Sequence, residues 1–312
     1  MNHTIDYEAT GVLVEPVLLA TGLCRKFRRK NALVDVTLTV PRGVVFGLVG
    51  ENGAGKTTLL RHFLGVLRPT AGEVRVFGKN PINEPVEVLS RIGFLSEERD
   101  LPGWMTVKEL MRYTQAFYPG WDEDYSEALR THFALDPASK IKQLSRGEQA
   151  KTGLLMALAY RPELLILDEP SAGLDPVARR DILEAIVRTV ADEGRTVLFS
   201  SHLLDEIERV SDQVAMLHEG KVLFQGALDD IKAGHQVLTL THSTENAAPE
   251  WPGVVQARQD GNVWTALCSG TSQEVADQAQ AAGWRVTDQR IPSLEEVFIA
   301  RVRGGVARGV MP

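Results

Sequence analysis

The chain has 312 residues, enough for two average domains or one large domain with an appendage, so a sizeable core is within reach. Apolar residues at 44% and charged residues at 24% exclude a disordered, collagen-like or disulfide-scaffold protein. With 34 Lys and Arg against 41 Asp and Glu, the net charge of −7 gives no general pull on nucleic acid, and any bound anion must be held locally.

In chain order, residues 1–16 carry Asp6, Glu8 and Glu15 and lack a basic stretch followed by an apolar one, so they read as a loose leader. Residues 17–21 suggest a strand. Over 33–40, Val34, Val36, Leu38 and Val40 alternate with Leu33, Asp35, Thr37 and Thr39, the period of a half-buried antiparallel strand. Residues 44–49 are almost wholly apolar and suit a strand buried on both faces, ending at Gly50. A helix over 57–67, a turn over 68–72 and strands over 73–77 and 92–95 follow. Two helices, 106–117 and 122–133, are split by Pro119-Gly120 and lie within a helical insert of about 98–160. Strands over 164–167 and 196–199 flank a helix over 176–191 that opens on Pro176, and this alternation implies a parallel sheet. A hairpin over 214–217 and 221–224 turns at His218-Glu219-Gly220.

Beyond Gly234 the pattern becomes βββαβα: strands at 237–241, 254–257 and 262–268, a helix at 272–282, a strand at 284–287 and a last helix from Ser293. Such an appendage, over 235–312, is long enough for a small core of its own, and 304–312 is expected to fray. No apolar run approaches the ~18 residues that cross a bilayer. Cys24 and Cys268, far apart and outside any metal-ligand spacing, read as reduced packing residues.

The chemistry begins at Gly50-Glu51-Asn52-Gly53-Ala54-Gly55-Lys56-Thr57, which fits G-x-x-x-x-G-K-[ST] between a buried strand and a helix. Its backbone N–H groups would cradle phosphate oxygens at a helix N-terminus. Lys56 would reach the β- and γ-phosphates, and Thr57, followed by Thr58, would offer a hydroxyl to Mg²⁺. At the end of an apolar strand stand Asp168 and Glu169. The first is expected to hold the Mg²⁺ shell, and the second to act as base on an attacking water.

Together with Leu144-Ser145-Arg146-Gly147-Glu148-Gln149, these motifs resemble the ATP-binding subunits of ABC transporters, over roughly residues 17–234. The resemblance implies an α/β fold of the P-loop ABC ATPase type: a mixed core sheet, an antiparallel β subdomain and a helical subdomain, followed here by the small α+β appendage. It implies that Ser145 and Gly147 of the signature close on the γ-phosphate of ATP held by another subunit. Arg146 departs from the family's first glycine and Glu148 from its glutamine. Glu97 stands where the family places a glutamine that reaches Mg²⁺ and water, with Glu98 beside it. Asp175, in Ser171-Ala172-Gly173-Leu174-Asp175, would join the two sites across the dimer, or cap the helix from Pro176. His202, 33 positions after Glu169, matches the switch histidine that contacts the γ-phosphate. The other histidines, such as His62 and His132, receive no role. Phe27 lies where an aromatic stacks on adenine. Around it Arg25, Lys26, Arg28, Arg29 and Lys30 favour nucleotide or anionic headgroups, or form a solvated basic face.

The same resemblance implies ATP and Mg²⁺ as ligands, a homodimer or a heterodimer with a second ABC ATPase subunit, and separate multi-span permease subunits that receive the stroke near residues 101–118. The chain would then be cytoplasmic and peripheral on the inner face of the plasma membrane. Residues 117–122, 173–176 and 292–298 look similar to bacterial exporters of the ABC-2, bacitracin-resistance-like group, whose substrates are drugs, antimicrobial peptides and lipid-linked molecules. An importer ATPase is the nearer alternative. A non-transport ABC ATPase acting on ribosomes or DNA is the further one, although no nucleic-acid partner is expected. The appendage could pair the two subunits, sense a ligand or cover an exposed sheet edge, and dimer contact or regulation is the reading taken.

Overall fold

The computed structural model describes residues 15–28, 30–191, 194–241, 248–303 and 305–307. Residues 1–14 of the leader, Arg29 of the basic cluster, and residues 304 and 308–312 lie outside the described residues. The first part of the chain forms β1 (Leu18–Phe27), β2 (Lys30–Val40), β3 (Val45–Val49), α1 (Lys56–Phe63), β4 (Ala71–Val76), α2 (Pro85–Leu89) and β5 (Ile92–Leu95). The middle forms α3 (Val107–Gln115), α4 (Glu123–His132), α5 (Arg146–Leu158), β6 (Leu164–Asp168), α6 (Pro176–Ala191), β7 (Thr196–Ser201), α7 (Leu204–Val210), β8 (Gln213–His218) and β9 (Lys221–Ala227). The last part forms α8 (Leu228–Ala233), β10 (His235–Thr241), β11 (Val254–Asp260), β12 (Val263–Ser269), α9 (Ser272–Ala281), β13 (Arg285–Arg290), α10 (Leu294–Arg303) and β14 (Gly305–Ala307).

The central sheet has the order β5-β6-β7-β3-β8-β9. Every neighbouring pair from β5 to β8 is parallel, and β9 closes the edge as an antiparallel hairpin partner of β8. Its strands read as unbroken apolar runs because both faces are buried, and alternation divides each run between two cores. Val45, Val49, Leu165, Leu167, Val197, Phe199, Val214 and Met216 face a core shared with α5, α6 and the helical insert. Phe46, Leu48, Leu164, Ile166, Leu198, Ala215 and Leu217 face a second core, closed by α1 through Leu59, Leu60 and Phe63 and by the antiparallel sheet β2-β1-β4.

In β2 the expected alternation is interrupted. Leu33, Val36, Leu38 and Val40 are buried whereas Val34 is not, because Asp35 takes φ 52° and adds a residue opposite β1: Leu23 pairs with Val36, but Arg25 pairs with Leu33. The bulge swaps the faces of the strand and brings Ala32 to the rim of the cavity over residues 52–58. Three short helices, α2, α7 and α8, stand where the sequence pattern gave no helical period.

The last five strands form a sheet ordered β13-β10-β12-β11-β14. Gly305 to Ala307, expected to fray, pair parallel with β11. One face of this sheet has a core of its own around Trp264, Trp284, Val275 and Ala279. Helix α10 covers the other face with Val297 and Ala300, and turns Leu294 and Phe298 into the main core. Glu208 of α7 ties that junction, accepting the Leu294 N–H at 3.1 Å and pairing with Lys232 of α8.

Leu294 is fully buried in the main core although it belongs to the C-terminal region. Leu294→Ala is expected to cost about 2–5 kcal/mol in denaturant unfolding, the usual range for a buried Leu deletion. Hydrogen exchange should show lost protection in α7 as well as α10.

Candidate functional site

Four loops leave the sheet on one edge because β5, β6, β7 and β3 are adjacent and parallel, which collects their C-terminal ends. They are the turn after β3 that holds Gly50 to Gly55, the segment after β5 with Glu97, the acid pair after β6, and the turn after β7 with His202. At Gly50 an added Cβ would stand 2.3 Å from the Leu217 carbonyl, so the loop can leave β3 only through glycine. Gly55, at φ 113°, caps α1 without any side-chain hydrogen bond, and the first turn of α1 carries no acid. The first N–H groups of α1 are therefore available to an anion.

Lys56 is 6% exposed and curls back over the loop, donating to the Gly50 carbonyl at 2.6 Å and the Glu51 carbonyl at 3.3 Å. Its ammonium also lies 3.0 Å from Glu169 Oε1. Ala54 is buried within the loop and accepts the Gly220 N–H at 2.9 Å, so the β8–β9 hairpin supports the loop from behind. A cavity of about 370 Å³ opens over this arrangement, lined by Phe27, Lys30, Ala32, Asn52, Gly53, Gly55, Lys56, Thr57, Thr58, Glu97 and Glu169. Phe27 is 40% exposed, with the Arg25 guanidinium 4.5 Å from its ring centroid.

Asp168 and Glu169 are both nearly inaccessible. Ser200 of β7 joins them: its hydroxyl donates to Asp168 Oδ1 at 2.7 Å and accepts the Glu169 N–H at 3.0 Å. Glu169 takes φ 47°, a strained conformation for a side chain with a Cβ, which turns the carboxylate from the strand towards Lys56 and His202. Its Oε2 receives His202 Nδ1 at 2.7 Å and the His202 N–H at 3.3 Å. An ionised carboxylate only accepts, so this contact puts a ring proton on Nδ1 and turns Nε2 away from Glu169.

Ser145, Gly147 and Asp175 form a second group that does not line the cavity. Ser145 caps α5 in a capping box: its hydroxyl accepts the Glu148 N–H, while Glu148 Oε2 receives the Ser145 hydroxyl at 2.7 Å and N–H at 2.8 Å. Glu148, which departs from the family's glutamine, thus completes the cap, and its bonds to Ser145 hold its carboxyl below the usual range. Gly147 backs onto Ala178 at the start of α6. Asp175 Oδ1 accepts the Ala178 N–H at 3.0 Å and the Val177 N–H at 2.9 Å, which holds its carboxyl low.

The chain matches the family model described as ABC transporter over residues 33–172. It is 30% identical over 88% of its length to the ABC transporter ATP-binding protein YtrB of Bacillus subtilis, covering 94% of that protein. It is 31% identical over 69% of its length to the bacitracin transport ATP-binding protein BcrA of Bacillus licheniformis, covering 71% of it. This chain belongs to the ABC transporter ATP-binding family. A solved ATP-binding subunit of an ABC transporter superposes with a TM-score of 0.64 at 32% identity, over 69% of this chain and 92% of that one. The cassette MJ0796, at 22% identity and a TM-score of 0.61 over 68% of this chain and 98% of that one, shares the fold. The protein is an ABC ATPase subunit that binds and hydrolyses ATP to drive transport, and the matches decide against action on ribosomes or DNA.

Two residues that sequence reasoning missed hold the loop of this ABC ATPase between Glu169 and Asp175. Arg99, at φ 49°, donates to the carbonyls of Pro170 at 3.1 Å and Ala172 at 2.8 Å, and burial beside Arg146 lowers its guanidinium pKa. Glu206 of α7 accepts the Ser171 hydroxyl at 2.6 Å. No motif marks either residue, since each is one charge within a polar stretch.

The depressed Glu148 pKa gives the cap of α5 a pH dependence. The cap is fully formed above the ordinary glutamate range and is lost as pH falls through the lower folded value. The stability gap between the parent and Glu148→Gln, present at neutral pH, should close in thermal unfolding as pH falls below the ordinary glutamate range.

Proposed function

We propose that two such chains, identical or paired with a second ABC ATPase subunit, close on ATP beneath a multi-span permease at the cytoplasmic face of the membrane. There they drive export of a drug, an antimicrobial peptide or a lipid-linked molecule. The observation that carries the dimer is the separation of the Ser145–Gly147 group from the cavity within one chain: the signature stays unused unless another subunit presents it. The export reading is supported by residues 292–298 and by the likeness to the bacitracin transport protein of Bacillus licheniformis. Among the described residues no helix is long and apolar enough to cross a membrane. Trp104 at 70% exposure and Phe117 at 64%, the latter edge-on to Tyr113, give the helical insert an apolar surface suited to a permease loop. In this reading residues 17–234 are the ATPase unit, with the helical insert over about 98–160, and 235–312 serve dimer contact or regulation.

The proposed chemistry follows the contacts. Phosphate oxygens sit on the N–H groups of residues 50–58, adenine stacks on Phe27, and Lys56 faces the β- and γ-phosphates. The same ammonium touches Glu169, so phosphate and Glu169 compete for one cation. Glu169 is the base that takes a proton from the attacking water, and His202, held through Nδ1, presents Nε2 to the γ-phosphate. Ser145 and Gly147 meet that phosphate from the other subunit, with Asp175 at the seam.

Thr57, Glu97 and Asp168 supply oxygen donors alone, which suits Mg²⁺, an ion that keeps its waters and takes only one or two protein carboxylates. Among the described residues no group of three His, Cys, Asp or Glu could hold a metal unaided, in keeping with an ion that arrives with the nucleotide. When bound, Mg²⁺ neutralises charge on the phosphates.

Glu169→Gln is expected to lower turnover by the roughly 10²–10⁴-fold that a positioned base contributes, while ATP is retained on a stable dimer. Hydrolysis at the parental rate would sink the assignment. Phe27→Ala should weaken nucleotide binding about 2- to 12-fold, the equivalent of 0.5–1.5 kcal/mol of stacking. Affinity purification from native membranes in mild detergent should recover a multi-span protein that raises ATPase activity. Recovery with ribosomes or DNA and no membrane protein would overturn the partner assignment.

A further inference from the structure

Glu206 is 2% exposed, and a carboxylate taken that far from water is costly unless every oxygen is served. Its Oε2 receives two hydroxyls, from Ser171 at 2.6 Å and Ser201 at 3.0 Å. Its Oε1 lies 3.2 Å from Arg179 Nε of α6, a charge contact without hydrogen-bond geometry. These three partners come from separate pieces of the site. Ser171 lies two residues after Glu169. Ser201 immediately precedes His202, and its hydroxyl also accepts the Leu203 N–H at 3.0 Å, closing the turn on which His202 stands. Arg179 is four residues into the chain after Asp175, and its own N–H bonds back to the Asp175 carbonyl at 3.0 Å.

The neighbouring serine makes the arrangement informative. Ser200 and Ser201 are consecutive and divide the work: Ser200 serves the Asp168–Glu169 pair, and Ser201 serves Glu206. An acid in the first turn of a short helix ordinarily complements the helix dipole at the surface. Glu206 is instead buried, and its Oε2 takes the hydroxyls of the loop after Glu169 and of the turn before His202, while the residue lies outside the cavity.

We infer that Glu206 is a positioning residue for ATP hydrolysis, locking the loop after Glu169 and the turn carrying His202 into one piece so that the Glu169–His202 contact is kept. The inference rests on the assignment of Glu169 and His202 given above. Glu206 touches neither nucleotide nor water. It acts through Ser171 and Ser201, and it fixes how the loop leading to Asp175 stands relative to the histidine.

The test uses the full chain in steady-state hydrolysis of Mg-ATP, with affinity for a non-hydrolysable ATP analogue measured alongside. Glu206→Leu removes both acceptors and should lower kcat about 10- to 100-fold, the scale of loss when catalytic groups are displaced by about an ångström. KM and analogue affinity should stay within about two-fold, because the phosphate-binding loop and Phe27 are untouched. Glu206→Gln keeps one oxygen for both hydroxyls and should restore most of kcat.

Since loss of a buried acid also loosens the fold, Ser171→Ala and Ser201→Ala form the second arm. Each leaves Glu206 with Arg179, and each should lower kcat several-fold at unchanged KM, with less than additive effects when combined with Glu206→Leu. Parental kcat in both serine variants would overturn the role, as would losses of kcat that only track the folded fraction seen by circular dichroism. Glu169→Gln in the same assay separates the two failures. A parental rate there overturns the base assignment, whereas an inactive Glu169→Gln beside fully active serine variants overturns the role of Glu206 alone.

Discussion

The site depends on the in-register parallel pairing of β6, β7 and β3. Val49 pairs with Ser201 and Asp168 with Ser200, so these strands end almost flush. The next residues along each chain, Gly50, His202 and Glu169, therefore emerge side by side. A slip of one residue would move an end by about 3.3 Å and send each side chain to the opposite face. The 2.7 Å contact between Glu169 and His202 and the 3.0 Å contact between Lys56 and Glu169 would both be lost. Close packing opposes the slip, because each strand is divided between two separate cores and a shifted strand would present side chains of the wrong size to both. The geometry of the Lys56–Glu169–His202 contacts is thus set by packing well below the site.

An acidic protein that holds a polyphosphate must work at short range, since charges beyond about 8–10 Å are screened at physiological salt. In the proposed reading the attraction is concentrated at one helix end whose N–H groups are free of a side-chain cap, and in the buried Lys56. Glu97 and Glu169 stand in the same cavity and oppose the ligand's charge. Strong binding sites do not ordinarily keep such repulsion. In an ATPase it has a use, because acids that weaken ground-state binding are also the groups that can orient and deprotonate water.

The sequence made the large periodic elements and the ordered motifs legible, because buried parallel strands are continuous apolar runs and the phosphate loop needs glycine and lysine at fixed spacing. What escaped was short or non-local. The helix Leu204–Val210 has under two full turns, too few to show a period, and it carries Glu206. The bulge at Asp35 is invisible in a pattern that still alternates on either side of it. Arg99 and Glu206 acquire meaning only when residues about 70 and 35 positions away fold against them. The capping box of Ser145 and Glu148 shows a departure from the family's glutamine being absorbed locally, since an acid closes that cap with two bonds from Ser145.

Helix α7 stands between the site and the C-terminal region. Two residues apart on a helix lie about 200° round its axis, so Glu206 and Glu208 point to opposite sides. Glu206 meets the serines of the catalytic loops, while Glu208 meets the Leu294 N–H and Lys232. A helix bonded on both faces cannot follow a shift of the His202 turn without loading its other side. On that side α10 is wedged between the main core, through Leu294 and Phe298, and the C-terminal sheet, through Val297 and Ala300. The terminal region is therefore mechanically continuous with the loop that carries His202.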